Sequence, residues 1–442
     1  MCNFAALFEN MPMKSLDRRI LRLALPSIVA NVTVPLLGLC DVTVMGHVGG
    51  AGHIGAIAVG SMIFNVMYWL FVFLRMSTSG LTAQAFGAGR GGDCRATLRR
   101  GLLLALGSGL AIVVLQLPLR GLTFWLMQVS GDVEHLCIPY YSICIWGAPA
   151  VLGLYVLTGW LVGMQDTRMP MLMAVGQNVV NIAVSLLLVV GCGMGIRGVA
   201  LGTLIAQWSA FAAGMGYVGR KLAADCLKDA CGQADGSPRG LSSLFRLNLD
   251  IFLRTVCLVG VNLFFTSAGV AQGTLVLAAN TLLMQFFMFY SYVMDGFAFA
   301  GEALAGRCLG AGEGEMLRRV VRRLFLWGCV VAVIFTIAYW LGGSSLLRLM
   351  TSDREVTRVA LGYLPWAVLI PVAGLAAFVW DGIFIGMTLS RGMLVSCFWA
   401  CVAFFGLWLL LSPVMGNHAL WLALLCYLAM RGILQTLIWR RV

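Results

Sequence analysis

Ionisable side chains are scarce in the apolar parts of this chain, and the few that occur there are the residues equipped for chemistry. Asp41 closes the segment Val34-Pro35-Leu36-Leu37-Gly38-Leu39-Cys40-Asp41. A charge placed among lipid tails is expensive unless it faces a cavity or a partner, so it marks function by default. Pro26 and Pro35 each remove a helix hydrogen bond and ease bending. A lone carboxylate on a bendable helix suits a proton or cation switch; the alternative is an acid near the outer interface, solvated or capping a neighbouring helix.

Asp295 and Glu302 lie seven residues apart in Met294-Asp295-Gly296-Phe297-Ala298-Phe299-Ala300-Gly301-Glu302-Ala303. That is close to two helical turns, so both acids project from one face, a wall fit for a cationic substrate. Asp381, opening Asp381-Gly382-Ile383-Phe384-Ile385-Gly386, either joins this wall or hydrogen-bonds at a helix end. Arg75 either snorkels to phosphates as an anchor or pairs with an acid of the eighth apolar stretch. Asp250 and Arg254, four apart, are expected to neutralise each other. Gln177, Asn178, Asn181 and Ser185 form a polar stripe at about one-turn spacing, with Thr203 on the next stretch. Such a stripe is interhelical glue, or it supplies neutral oxygens to a cation near Asp41.

Enzyme chemistry finds no constellation. There is no H-E-x-x-H, no G-x-S-x-G and no P-loop, and His47, His53, His135 and His418 are isolated. The 14 cysteines fall singly in apolar runs with no C-x-x-C pair, so they read as small packing residues, and neither metal site nor cofactor is implied.

These residues must be positioned by membrane helices. Hydrophobic residues make up 60% of the chain and charged ones 11%, far more apolar than an ordinary globular domain; the mean hydropathy is +0.92. Twelve apolar stretches can each span a bilayer: about 20–45, 54–79, 98–118, 136–162, 170–192, 198–219, 246–270, 275–304, 321–343, 358–386, 392–411 and 418–438. They must be helices, since a closed barrel would show alternation of period two. The first is too long for a cleaved signal core and is expected to stay; Met11 or Met13 are alternative starts.

The net charge of +12 is not a nucleic-acid footprint, because the basic residues concentrate at the termini and in alternate loops, including Arg18, Arg19, Arg22, Arg95, Arg307 and Arg440. That bias places both termini in the cytoplasm, against the anionic leaflet of a bacterial-type inner membrane.

Shifted by 223 residues, the sequence falls on itself. Gly87-Ala88-Gly89 meets Gly310-Ala311-Gly312, Arg99 and Arg100 meet Arg322 and Arg323, and Gly159, Gly163 and Arg168 meet Gly382, Gly386 and Arg391. Two homologous halves follow: 1–219 with six spans, a polar linker at 220–243, and 244–442 with six more. With an even number of spans per half the repeat is parallel, its pseudo-twofold axis along the membrane normal, and a substrate pathway is expected between the halves.

Val34 to Asp41, Leu74-Arg75-Met76-Ser77-Thr78-Ser79-Gly80-Leu81-Thr82-Ala83-Gln84-Ala85-Phe86-Gly87-Ala88, Asp295-Gly296-Phe297-Ala298, Asp381 to Gly386 and Gly416-Asn417-His418-Ala419-Leu420-Trp421 resemble the DinF subfamily of the MATE (multidrug and toxic compound extrusion) transporters. The resemblance spans nearly the whole chain. It implies two six-helix lobes in a V shape that alternate between inward-open and outward-open states and export organic cations or other amphipathic compounds, as a monomer without nucleic-acid partners. It further implies that the carboxylate matched by Asp41 couples transport to a cation, and that the first helix bends near Pro26. Related transporters often carry an Asn and, four residues on, an Asp; here Asn181 matches but Ser185 stands at the second place. With one carboxylate fewer to offset a dehydrated cation, protons are favoured over sodium as the coupling ion. A flippase for lipid-linked precursors or metabolites shares the two-lobe plan, but would be expected to line its cavity with more Arg.

Overall fold

The computed structural model describes the backbone of residues 13–48, 51–126, 131–226 and 241–441, and side chains for most of these; those of Pro35 and Asp41 lie outside the described set. Every regular element among the described residues is helical. In chain order these are α1 (Met13–Val48), α2 (Ala51–Trp69), α3 (Phe73–Gly87), α4 (Gly91–Val114), α5 (Gln116–Leu126), α6 (Gly131–Cys144), α7 (Ala148–Gly163), α8 (Arg168–Leu186) and α9 (Gly195–Cys226). They continue with α10 (Leu241–Val270), α11 (Thr274–Gly310), α12 (Gly314–Met350), α13 (Arg354–Gly386), α14 (Ser390–Met415) and α15 (Asn417–Trp439).

Eleven described stretches are long and apolar enough to cross a bilayer, and the remaining expected span, 20–45, falls inside α1. Their large apolar side chains point outward as well as inward, as in Leu103, Leu110, Leu341 and Leu410, all exposed. In water that surface would be a liability; in lipid it is the solvated face. Some boundaries differ from expectation. The stretch 54–79 is two helices, because Phe71 and Val72 donate to the carbonyls of Tyr68 and Trp69 and tighten the chain into a turn. The stretch 136–162 is likewise α6 and α7 joined by the short 3-10 turn Ile145–Gly147. The expected linker 220–243 is helical at both margins, since α9 runs to Cys226 and α10 starts at Leu241.

The duplication is visible in the backbone. Positive φ occurs at Gly89 (70°) and Gly312 (74°), at Gln165 (62°) and Thr388 (56°), and at Gly193 (66°) and Gly416 (54°), each pair separated by the sequence offset. Both members of the first pair close a helix in the same way: Arg90 donates to Ala85 O and Glu313 donates to Cys308 O, each at 2.9 Å. Glycine carries the left-handed turn there without a Cβ penalty. Thr388 is a β-branched residue in a conformation that glycine favours, yet it ends α13 as Gln165 ends α7.

Helix contacts repeat too. Gly159 and Gly163 of α7 lie against the carbonyls of Arg75 and Ser79 of α3, and Gly382 and Gly386 of α13 lie against those of Ala298 and Glu302 of α11. A methyl group at any of the four would meet backbone. Small residues at such crossings let backbones approach where no hydrophobic force between helices operates.

The chain packs as two compact units, one comprising Val29–Gly240 and the other joining residues up to Ile28 with Leu241–Val442. The units meet at two points of the chain, one inside the expected linker at Gly240 and one inside α1, just after Pro26. In the first unit Trp160, Tyr141, Leu74 and Ile63 are fully buried, and Trp160 Nε1 donates to Cys94 O at 3.0 Å. In the second, Asn280 and Asn417 exchange amide hydrogen bonds at 2.9 Å in each direction, and Trp421 Nε1 donates to Asn280 Oδ1 at 2.9 Å. Tyr290 donates to Pro371 O at 2.9 Å. These buried polar groups are satisfied, as an interior without water demands.

Candidate functional site

Among the described residues, each unit holds a buried polar cluster with the makings of a site. In the unit comprising Val29–Gly240, α8 presents Asn178, Asn181 and Ser185 along one side. Their spacing keeps them on one helical face. Asn178 Nδ2 donates to Thr33 O of α1 at 2.8 Å. Asn181 Nδ2 donates to Thr203 Oγ1 of α9 at 2.9 Å, and Thr203 in turn donates to Val199 O at 3.1 Å. Asn181 and Ser185 are fully buried. Ser185 Oγ lies directly over Gly202 of α9, in space a Cβ would fill.

On α8 and α9 three buried side-chain oxygens have no hydrogen-bond partner among the described residues: Asn181 Oδ1, Ser185 Oγ and Gln207 Oε1. A buried acceptor without a donor costs free energy on the order of 1–3 kcal/mol, so a cluster of them in a helical bundle fits a small cation or a hydrogen-bonded water. The stripe therefore brings together Asn181, Thr203 and, through Gly202, Ser185, while Asn178 reaches the helix that carries Asp41. Gln207, four residues after Thr203 on α9, sets its side-chain oxygen against Gly147 instead.

In the other unit the acid is Asp381. It sits within α13 with Arg254 of α10 and Arg431 of α15 both donating to Oδ2, while Gln435 Nε2 donates to Oδ1 at 2.8 Å. Arg254, Arg431 and Gln435 are all buried. Arg431 also lies 5.4 Å from the centre of the Tyr427 ring, a favourable place for a cation. Three helices are thus pinned on one carboxylate. Asp381 is not a helix-end hydrogen bonder but the shared acceptor of a buried charge cluster with Arg254 and Arg431.

This arrangement corrects the expected pairing of Asp250 with Arg254. Ser390 donates to Asp250 Oδ2 at 2.8 Å instead, and Arg254 turns to Asp381 because the buried pair loses the most by lacking its partner. Arg431 and Gln435 stand outside the expected set, although a basic residue inside the apolar stretch 418–438 was itself the signal. Arg75 is buried in α3, Glu302 is fully buried in α11, and Asp295 is half-buried on the same helix.

Among the described residues, one set of thiols has the spacing of metal ligands: Cys257, Cys397 and Cys401, whose sulfurs lie within 4.8 Å of one another. Three small side chains packing α10 on α14 give the same geometry, and Cys397 Sγ also meets the Tyr427 hydroxyl at 3.5 Å.

At the loop between α7 and α8, Asp166 accepts from Tyr217 at 2.7 Å and Lys221 at 3.1 Å. Burial pushes its carboxyl up, but these two donors outweigh it and hold the group below the usual carboxylate value. At the start of α1, burial and the nearby Arg307 charge bring Arg19 down to about 10.

A duplicated helical membrane protein whose buried polar groups cluster within each unit is a transporter by architecture. The comparisons agree. The family model described as MatE matches residues 26–187 and 251–408, and the chain belongs to that family, whose members are transporters and not enzymes. It is 39% identical to the "DNA damage-inducible protein F" of Escherichia coli (strain K12), over 97% of this chain and 93% of that one. It is 23% identical to a "Probable multidrug resistance protein NorM" of Pasteurella multocida, over 96% and 94% of the two chains. The fold matches a solved outward-facing multidrug resistance MATE family transporter of the MOP superfamily with a TM-score of 0.85 at 19% identity, covering 96% of this chain and 95% of the other.

Proposed function

We propose that this transporter is a secondary active antiporter of the cytoplasmic membrane, with both termini inside, that expels amphipathic organic cations and related toxic compounds in exchange for protons. The observation that carries the reading is the buried cluster on α8 and α9, where Asn181 Oδ1 and Ser185 Oγ stand without donors among the described residues beside the Asn181–Thr203 pair. Asp41 supplies the charge and these neutral oxygens hold water or a hydrated proton near it. A single carboxylate at this place favours protons, since sodium would demand more compensating charge.

In the proposed cycle a proton taken up at Asp41 removes the need to keep that carboxylate solvated. α1 then bends at Pro26 and Pro35, and the drug leaves outward; the empty protein returns and releases the proton inside. Exchange follows from the different affinities of the two states. Support for the bend is that one of the two boundaries between the compact units falls just after Pro26. Arg75, Asp295 and Glu302 are assigned to the substrate side, whereas Arg254 and Asp381 serve the fold.

Ethidium efflux from proteoliposomes, under proton and sodium gradients imposed separately, tests the proposal. Proton-driven efflux that disappears in Asp41→Asn is the expected result. Strict dependence on sodium at fixed pH would sink proton coupling, and retained proton-coupled efflux in the variant would remove Asp41 from the mechanism.

A further inference from the structure

A second basic feature has no part in that cycle. At the start of α1 a cavity of about 390 Å³ opens between α1, the end of α11 and the first turns of α12, lined by Arg19, Arg307, Arg319, Arg322 and Arg323 with Glu313. All of these belong to one compact unit. Among the described lining residues, five guanidiniums and one carboxylate share a concave wall, which makes the local potential positive, and planar guanidinium forks match phosphate oxygens. Asp17 contributes at the rim, 3.5 Å from Arg323, and Trp327 Nε1 donates to it at 3.2 Å. This fixes α1 against α12 and keeps the wall in place.

The basic residues of the lining are only partly shared between the two halves. The positions one repeat offset away from Arg307 and Arg319 are Gln84 and Ala96, and the position matching Arg19 is Ser242, whereas Arg322 and Arg323 keep their counterparts Arg99 and Arg100. Arg307 and Arg319 are therefore basic positions of the cavity wall that the first half lacks at the matching places. The low value of Arg19, about 10, reflects burial first and the Arg307 charge second, a repulsion that an anion between the two would relieve.

We propose that this cavity binds a phosphate-bearing anion, which fastens the start of α1 to α11 and α12. The chemistry is that of a phosphodiester or phosphate monoanion, presented by an anionic lipid headgroup or free in solution. Because Arg19 lies seven residues before Pro26, the bound anion holds the stationary end of the helix whose further part bends.

Native mass spectrometry of the purified full chain, with phosphatidylglycerol, phosphatidylcholine or inorganic phosphate as probes, tests this. Arg307→Gln and Arg319→Ala import the residues of the other half. The wild type is expected to retain phosphatidylglycerol in preference to phosphatidylcholine, and the double variant to lose about thirtyfold of that retention. Arg318→Ala, an exposed neighbour pointing away from the lining, serves as control and is expected to change nothing. Displacement of the lipid by millimolar phosphate assigns the site to the free anion; resistance to it assigns the site to the lipid. Equal retention by wild type and double variant, or equal loss in Arg318→Ala, overturns the proposal. Unchanged thermal melting of the double variant separates lost binding from lost folding.

Discussion

A carboxylate held by two guanidiniums and an amide, as Asp381 is, cannot lose one side of the bargain evenly. Asp381→Asn removes the carboxylate that Arg254 and Arg431 share, and breaking a buried pair in this way costs about 3–5 kcal/mol. Arg431→Met leaves Asp381 with Arg254 and Gln435 and should cost clearly less. Thermal melting in detergent should rank Asp381→Asn well below Arg431→Met, and equal melting of the two would show that Asp381 is not the centre of the cluster. In the other unit, Ser185→Asp would restore the second carboxylate of the related transporters. Gly202 beside it leaves room that a Cβ would take. The expected outcome is efflux that gains a sodium dependence the parent lacks; no change in ion dependence would detach Ser185 from coupling. The sequence made Asn181, Ser185 and Thr203 readable because a polar stripe in a lipid-spanning helix stands out. It hid the partner of Arg254, because residues 127 apart in the chain meet only through the packing of α10, α13 and α15.

At the scale of helices, the most demanding contacts are the four glycines that seat α7 on α3 and α13 on α11. Gly382→Ala would place a methyl group inside contact distance of the Ala298 backbone, and backbone cannot swing aside as a flexible side chain can. Separation of α11 from α13 would follow, with a loss on the order of 1–3 kcal/mol. Gly176→Ala on α8 meets nothing within 4 Å and should be neutral or slightly stabilising, as alanine is the better helix former. Expression and melting of the two variants side by side decide the point, and an undisturbed Gly382→Ala would mean that the crossing is loose. The element plan was legible because apolar stretches of bilayer length are strong signals and the internal repeat supplies an independent check on each. What stayed hidden were features the repeat and hydropathy do not encode: the turn after Trp69, the short α5, and the helical margins of the linker.

Across the whole molecule, the pH dependence of transport should come from acids inside the bundle and not from the ion pairs at its ends. Asp166, bonded to Tyr217 and Lys221, has its carboxyl held below the usual range. A depressed carboxyl contributes stability that is present above its unfolded pKa of about 3.9 and lost only as pH falls through the lower folded value. Between pH 5.5 and 8, roughly the range where a buried coupling acid would titrate, this contribution is constant. Because the pair is partly exposed, its loss should cost about 1 kcal/mol or less. Asp166→Asn is therefore expected to lower the melting temperature slightly and equally at pH 6 and pH 8, and to leave the pH profile of efflux with the shape of the parent's. Asp41→Asn, by contrast, should abolish the profile together with the activity. A flattened profile in Asp166→Asn would move the titrating group from α1 to the loop that joins α7 to α8, and would require a different account of how protons reach the transport cycle.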